Sequence, residues 1–142
     1  MGEISGNSEI CSMLRSLLPS LSWFFGYRKH PDFPHLEDNV AFAQFVGPED
    51  LWRSARLAIG LTLIAPETLY PAHSHPATEI YLPLAGTGLW SMGNSDYHPR
   101  KPSELIFHRS HVPHTTLAQK DPILALYVWY GGIGLPSEWQ YG

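Results

Sequence analysis

The sequence predicts a single, mainly β domain preceded by a short helical segment, and three observations support this. Beyond Gly47-Pro48 the chain becomes a series of short apolar runs separated by Pro and Gly, the texture of strands joined by frequent turns. Before that point, apolar residues fall at helical spacing over one short stretch. A chain of 142 residues with a hydrophobic fraction of 44% can bury one core and leaves little for a second. The expected division is an N-terminal helical and irregular segment over residues 1–50, packed on a β-barrel domain over residues 51–142.

The helix is predicted from Asn7 to Leu18, where Ile10, Met13, Leu14, Leu17 and Leu18 share a face. Asn7 or Ser8 would cap it and Pro19 would close it. Trp23-Phe24-Phe25-Gly26-Tyr27, followed by Pro31, Pro34 and His35, reads as irregular chain that covers apolar surface. The segment from Asn39 to Val46 suits helix or strand. Strands follow near Leu57–Ile64, Glu79–Ala85, Gly88–Met92, Glu104–His108, His114–Ala118 and Ile123–Tyr130, with turn chemistry at Gly93-Asn94 and Lys101-Pro102-Ser103. In the first of these, bulky Leu57, Ile59, Leu61 and Leu63 alternate with Ala58, Gly60 and Thr62, so the bulky face is expected to pack against helix or sheet. In the last, Leu124, Leu126 and Val128 alternate with Ala125, Tyr127 and Trp129. Its aromatic face could line a cavity, or simply fill core.

Composition narrows the function classes. Charged residues make up 15% and the formal net charge is -4, so no basic footprint argues for nucleic acid or an anionic membrane surface. No run approaches the ~20 apolar residues needed to span a bilayer. The single cysteine, Cys11, excludes an internal disulfide and points to a reducing compartment. Glu3 and the lack of a basic segment followed by an apolar run lead to the expectation of an unsecreted, cytoplasmic protein. A small-molecule substrate is the expected partner, and the apolar N-terminal segment could cover the barrel or the second copy of a homodimer.

The chemistry is concentrated in Tyr70-Pro71-Ala72-His73-Ser74-His75-Pro76-Ala77-Thr78-Glu79-Ile80-Tyr81. Side chains two apart in extended chain share a face, so His73 and His75 can point together, as can Glu79 and Tyr81. Pro76 interrupts the alternation between the two pairs. His114 opens a later strand after Pro113, where strand pairing could bring it beside them. Imidazoles with one carboxylate suit a divalent transition metal rather than Mg or Ca. The His-x-His pair alone carries little specificity in a chain with eight His.

The wider pattern carries more. His73-x-His75-x-x-x-Glu79, followed after six residues by Gly86 and later by a strand-initiating His114, resembles the two motifs of the cupin superfamily. The resemblance implies a single-domain cupin, a double-stranded β-helix or jelly-roll barrel, with His73, His75, Glu79 and His114 as metal ligands. Two positions depart from the pattern: Glu67 stands where a Gly is usual, and Arg109-Ser110-His111 replaces a Pro-x-Gly lead-in. His111 is therefore a rival for the role of His114.

Within the superfamily, Leu57 to Gly131 resembles the cupin-type dimethylsulfoniopropionate lyases. The residues that carry this are Thr68-Leu69-Tyr70-Pro71-Ala72-His73-Ser74-His75-Pro76, Glu79-Ile80-Tyr81, Gly86-Thr87-Gly88-Leu89-Trp90, Val112-Pro113-His114 and Leu124-Ala125-Leu126-Tyr127. The resemblance implies cleavage of dimethylsulfoniopropionate to dimethyl sulfide and acrylate, with Tyr70 and Tyr81 as base and metal-proximal partner. Fe(II) is the first expectation for the metal, with Zn(II) and Mn(II) as alternatives. Tyr127, Trp129 and Trp90 are candidates to face the sulfonium cation. His98 and His108 are expected at the surface or at strand ends, and His30 and His35 in the N-terminal cover. Two other readings share the ligand set: a dioxygenase or isomerase of a small oxygenated substrate, and a non-catalytic metal- or ligand-sensing cupin.

Overall fold

The computed structural model describes residues 3–139 of the chain. Helix α1 (Glu3–Leu17) begins before Asn7 and Ser8, so neither starts it, and it ends in a 3-10 turn at Leu18–Ser20 that accommodates Pro19. Strand β1 (Phe24–Phe25) and a single helical turn, α2 (Leu36–Asn39), precede β2 (Val40–Gly47). The Asn39–Val46 ambiguity is thus resolved as strand from Val40 onward, with Asn39 closing α2. Long-range pairing decides it, because β2 bonds to β1 on one side and to β4 (Leu57–Ile64) on the other.

The remaining strands are β3 (Trp52–Arg53), β5 (Leu69–Ser74), β6 (Thr78–Ala85), β7 (Gly88–Met92), β8 (His98–Arg100), β9 (Ile106–His108), β10 (His114–Ala118), β11 (Ile123–Tyr130) and β12 (Glu138–Trp139). They form two sheets. One runs in the order β1-β2-β4-β11-β6-β9, with β3 added to β2, and the other runs β12-β5-β10-β7-β8. Among the described residues no helix is long and apolar enough to cross a membrane.

The two faces of the larger sheet bury different things. Ile59 and Leu61 of β4, Leu82 and Leu84 of β6, and Leu124 and Leu126 of β11 cluster with Ile10, Leu14 and Leu17 of α1. This is the bulky face meeting a helix, although Leu57 and Leu63 at its margins stay exposed. Cys11 is half-buried in the same contact. The small face, with Ala58, Gly60 and Thr62, looks inward toward a second cluster that contains Tyr70, Tyr81, Trp90 and Tyr127. A Cβ on Gly60 would lie 2.5 Å from the Tyr127 hydroxyl and 2.8 Å from the Ala43 carbonyl, so glycine there makes room for the phenol.

Two of the departures at motif positions keep a glycine-like backbone. Glu67 has φ 54° and His111 has φ 61°, both in the left-handed region that favours Gly. The loops hold their geometry without the residue that adopts it most readily.

Candidate functional site

The inner end of the sandwich gathers His73 and His75 around β5, Glu79 and Tyr81 on β6, His108 on β9 and His114 at the start of β10. The pairing explains how they meet. His114 lies opposite His73 across the β5–β10 ladder, while Glu79 has His108 as register partner on one side and Trp129 on the other. All six ionisable side chains of the cluster are buried.

Three imidazoles are oriented in the same way. The Nδ1–H groups of His73, His75 and His114 donate to the carbonyls of Pro71 (2.8 Å), Ala77 (2.8 Å) and Val112 (3.0 Å). A carbonyl can only accept, so each Nδ1 carries the proton and each Nε2 offers a lone pair. The donor atoms of these three residues lie within 4.8 Å of one another. Glu79 Oε2 sits 3.3 Å from His75 Nε2 and 3.2 Å from His114 Nε2. Lone pairs therefore face lone pairs with no proton between them, and the buried His114 Nε2 has no hydrogen-bond partner. That donor set fits a divalent metal cation.

Electrostatics agree with the orientation. Burial, reinforced by the nearby His114, lowers the His73 pKa to about 3, so its ring is neutral at physiological pH. Burial opposes the charge on Glu79, but the hydrogen bond from His108 and the neighbouring rings of His114 and His75 outweigh it and keep the carboxyl well below its usual range. The group is a carboxylate, ready to ligate.

A cavity of about 340 Å³ opens onto this cluster, at the small end of the range for ligand sites. Tyr27, Tyr70, Tyr81, Tyr127, Trp129 and Trp139 contribute to its walls together with His73 and Glu79. The Tyr70 hydroxyl hydrogen-bonds that of Tyr27, and the Tyr81 hydroxyl pairs with Thr62 Oγ1 at 3.1 Å. Tyr127 donates to Gln44 Oε1 at 3.0 Å. Burial pushes the pKa of each of these four phenols above the ordinary value, so all four are protonated in the protein alone.

Several expectations change here. Trp90 does not line the cavity; it is buried on β7, in the other sheet, as part of the core. His108 does stand at a strand end, closing β9, but it is no surface residue, since it is fully buried with Nδ1 2.9 Å from Glu79 Oε2. His111 is exposed in the turn before β10, outside the cluster, and His114 occupies the site. Tyr27 and Trp139 were not singled out in the sequence because they come from irregular or two-residue segments without periodicity, yet both pack against Tyr70.

A β-sandwich whose inner face gathers three imidazoles and a carboxylate defines a cupin with a metal-type ligand set. The chain is similar in fold to a cupin-like protein of Thermotoga maritima, with a TM-score of 0.61 and 21% identity over 72% of this chain and 76% of that one. Residues 2–125 match the family model described as dimethylsulfoniopropionate lyase, and the chain belongs to that family. It is 32% identical over 133 residues to a Cereibacter sphaeroides protein assigned as the dimethylsulfoniopropionate lyase DddL, covering 92% of this chain and 55% of that protein. The dimethylsulfoniopropionate lyase DddQ of Ruegeria pomeroyi is 34% identical over 98 residues, covering 68% of this chain and 48% of that protein. The crystal structure of DddQ from the DSS-3 strain superposes with a TM-score of 0.79 at 28% identity, over 94% of this chain and 68% of the other. The chain spans about half the length of the curated relatives it matches.

Proposed function

We propose that this chain is a metal-dependent lyase that cleaves dimethylsulfoniopropionate to dimethyl sulfide and acrylate by β-elimination, with a tyrosine as general base. The observation that carries the reading is one cavity whose lining includes the phenols of Tyr70 and Tyr81 together with His73 and Glu79. His73, His75 and His114 through Nε2 and Glu79 through Oε2 would hold the metal, with Fe(II) the first choice and Zn(II) or Mn(II) the alternatives. When bound, the cation supplies positive charge that favours removal of the substrate's α-proton and lowers the pKa of nearby phenols.

The protein's own groups then have defined tasks. Tyr70, whose hydroxyl shares a hydrogen bond with that of Tyr27, is the preferred base, and Tyr81, on the same strand face as Glu79, is the metal-proximal partner. The phenolate oxygen takes the α-proton, the C–H electron pair becomes the double bond of acrylate, and the C–S bond breaks with its pair leaving on neutral dimethyl sulfide. The faces of Tyr127 and Trp129, joined by Tyr27 and Phe42 of the same wall, suit the soft sulfonium cation, an attraction of about 1 to 2 kcal/mol when desolvated. A lone cysteine and no disulfide suit work in a reducing cytoplasm.

The direct test is to load the purified protein separately with Fe(II), Mn(II) and Zn(II), add dimethylsulfoniopropionate and measure dimethyl sulfide by gas chromatography. Release with at least one metal, and none after chelation, is expected. No release from folded, metal-loaded protein would sink the lyase reading.

A further inference from the structure

Glu79 is hydrogen-bonded by both of its register neighbours. Trp129 Nε1–H donates to Oε1 at 2.5 Å from β11, and His108 Nδ1 approaches Oε2 at 2.9 Å from β9. His108 is fully buried, and its ring stacks on that of His114 with centroids 3.8 Å apart and 13° between planes. Its Nε2 is buried with no hydrogen-bond partner. His108 also falls, with Glu79 and His114, in a group whose donor atoms lie within 4.8 Å of one another, so its role must be separated from that of a ligand.

The chemistry of the ring separates them. An ionised carboxylate only accepts, so the Nδ1 that faces Glu79 carries the proton and has no lone pair for a cation. The lone pair of His108 is on Nε2, across the ring from Oε2. His73, His75 and His114 do the reverse, spending Nδ1–H on a backbone carbonyl and keeping Nε2 inward.

We infer that His108 is a positioning residue: with Trp129 it clamps the Glu79 carboxylate at both oxygens and holds Oε2 toward the Nε2 atoms of His75 and His114, where a cation would be taken up. Donors that orient a ligating carboxylate typically contribute about 10- to 100-fold in metal affinity. The inference rests on the metal reading above, and its test is arranged to tell the two apart.

Metal-free protein is titrated with Zn(II) against a chromophoric chelator for the wild type, His108→Phe, His108→Asn and Trp129→Phe, with near-ultraviolet circular dichroism to verify packing. His108→Phe keeps the stacked ring and removes the donor, so an affinity loss of about 10- to 100-fold is expected. His108→Asn, which restores an N–H near Nδ1, is expected to recover most of it; a merely space-filling role would not give this order. Trp129→Phe removes the other donor at a half-buried position, and is expected to weaken binding even if His108→Phe fails to fold. Pulsed EPR of the Cu(II)-loaded protein is expected to show three coordinated imidazoles in both wild type and His108→Asn. Unchanged affinity in the folded donor-deleting variants, or four imidazoles falling to three in His108→Asn, would overturn the clamp alone. A wild type that takes up no metal would overturn both readings.

Discussion

Tyr70 and His73 are three residues apart on β5, yet both face inward with ring centroids 4.3 Å apart. Simple alternation would send them to opposite sides of the sheet. The register shows why it does not: Tyr70 pairs with Thr116 and His73 with His114, so three steps on β5 oppose two on β10. A β-bulge at Pro71-Ala72 absorbs the extra residue, and Thr115 Oγ1 donates to the Tyr70 carbonyl at 2.8 Å beside it. The bulge thus delivers a phenol and an imidazole to the same cavity.

That geometry separates turnover from metal binding. Tyr70→Phe keeps the ring against His73 and removes only the hydroxyl, so turnover is expected to fall by at least about 100-fold, the scale of a lost general base. Metal content measured by atomic emission is expected to stay near that of the wild type. Tyr81→Phe makes the companion measurement. Unchanged turnover in both variants would move the base elsewhere.

Gly60 tests the inner wall. Gly60→Ala would drive a methyl into the Tyr127 hydroxyl and the Ala43 carbonyl, and overpacking of this kind costs about 1–3 kcal/mol. Urea unfolding is expected to show that loss. In a Tyr127→Phe background the closest of three contacts is gone, while the ring carbon at 2.7 Å and the Ala43 carbonyl remain, so the same substitution is expected to cost less but not to become free. Equal costs in the two backgrounds would mean that the Tyr127 hydroxyl does not fill the space.

His111 tests a loop and a ligand assignment together. Its φ of 61° strains a residue with a Cβ, and its side chain is exposed outside the cluster. His111→Gly is expected to leave metal content unchanged and to raise Tm by roughly 3 °C, the shift that about 1 kcal/mol of relieved strain gives in a domain of this size. Loss of metal would return His111 to the ligand set.

The strands that could be read from sequence are those long enough to alternate, such as Leu57–Ile64 and Ile123–Tyr130, where small or aromatic residues face in and aliphatic residues face out. Strand β5 was hidden because its proline and bulge break the alternation that identifies a strand. Strands β1, β3 and β12 have two residues each and exist only through pairing with distant chain, which no local pattern records. His108 was missed for a related reason: Leu105-Ile106-Phe107 is apolar at every position, so parity gave no inner face. The structure leaves Leu105 and Phe107 exposed and turns Ile106 and His108 inward. The available signal was that a histidine sharing a face with a buried isoleucine must find a polar partner.

The last prediction concerns acid. In the folded, metal-free protein His73 titrates at about 3, whereas in the unfolded chain it titrates near the ordinary 6.5. As pH falls below 6.5 the unfolded chain gains a proton that the folded protein refuses, so stability falls with pH across the window from 6.5 to about 3. Above 6.5 neither state is protonated and this residue makes no contribution. By pH 5 the loss from His73 is about 2 kcal/mol, at 1.36 kcal/mol per pH unit. Burial also lowers the pKa of His108, which acts in the same direction. Glu79, held well below its usual range, adds a further loss only once pH drops under about 4.5, where the unfolded carboxyl binds a proton first. Urea midpoints of chelator-treated protein at pH 7.5, 6.0 and 5.0 are expected to decline with the largest step between 6.0 and 5.0. A flat profile over that range would mean that His73 is accessible to protons in the folded state.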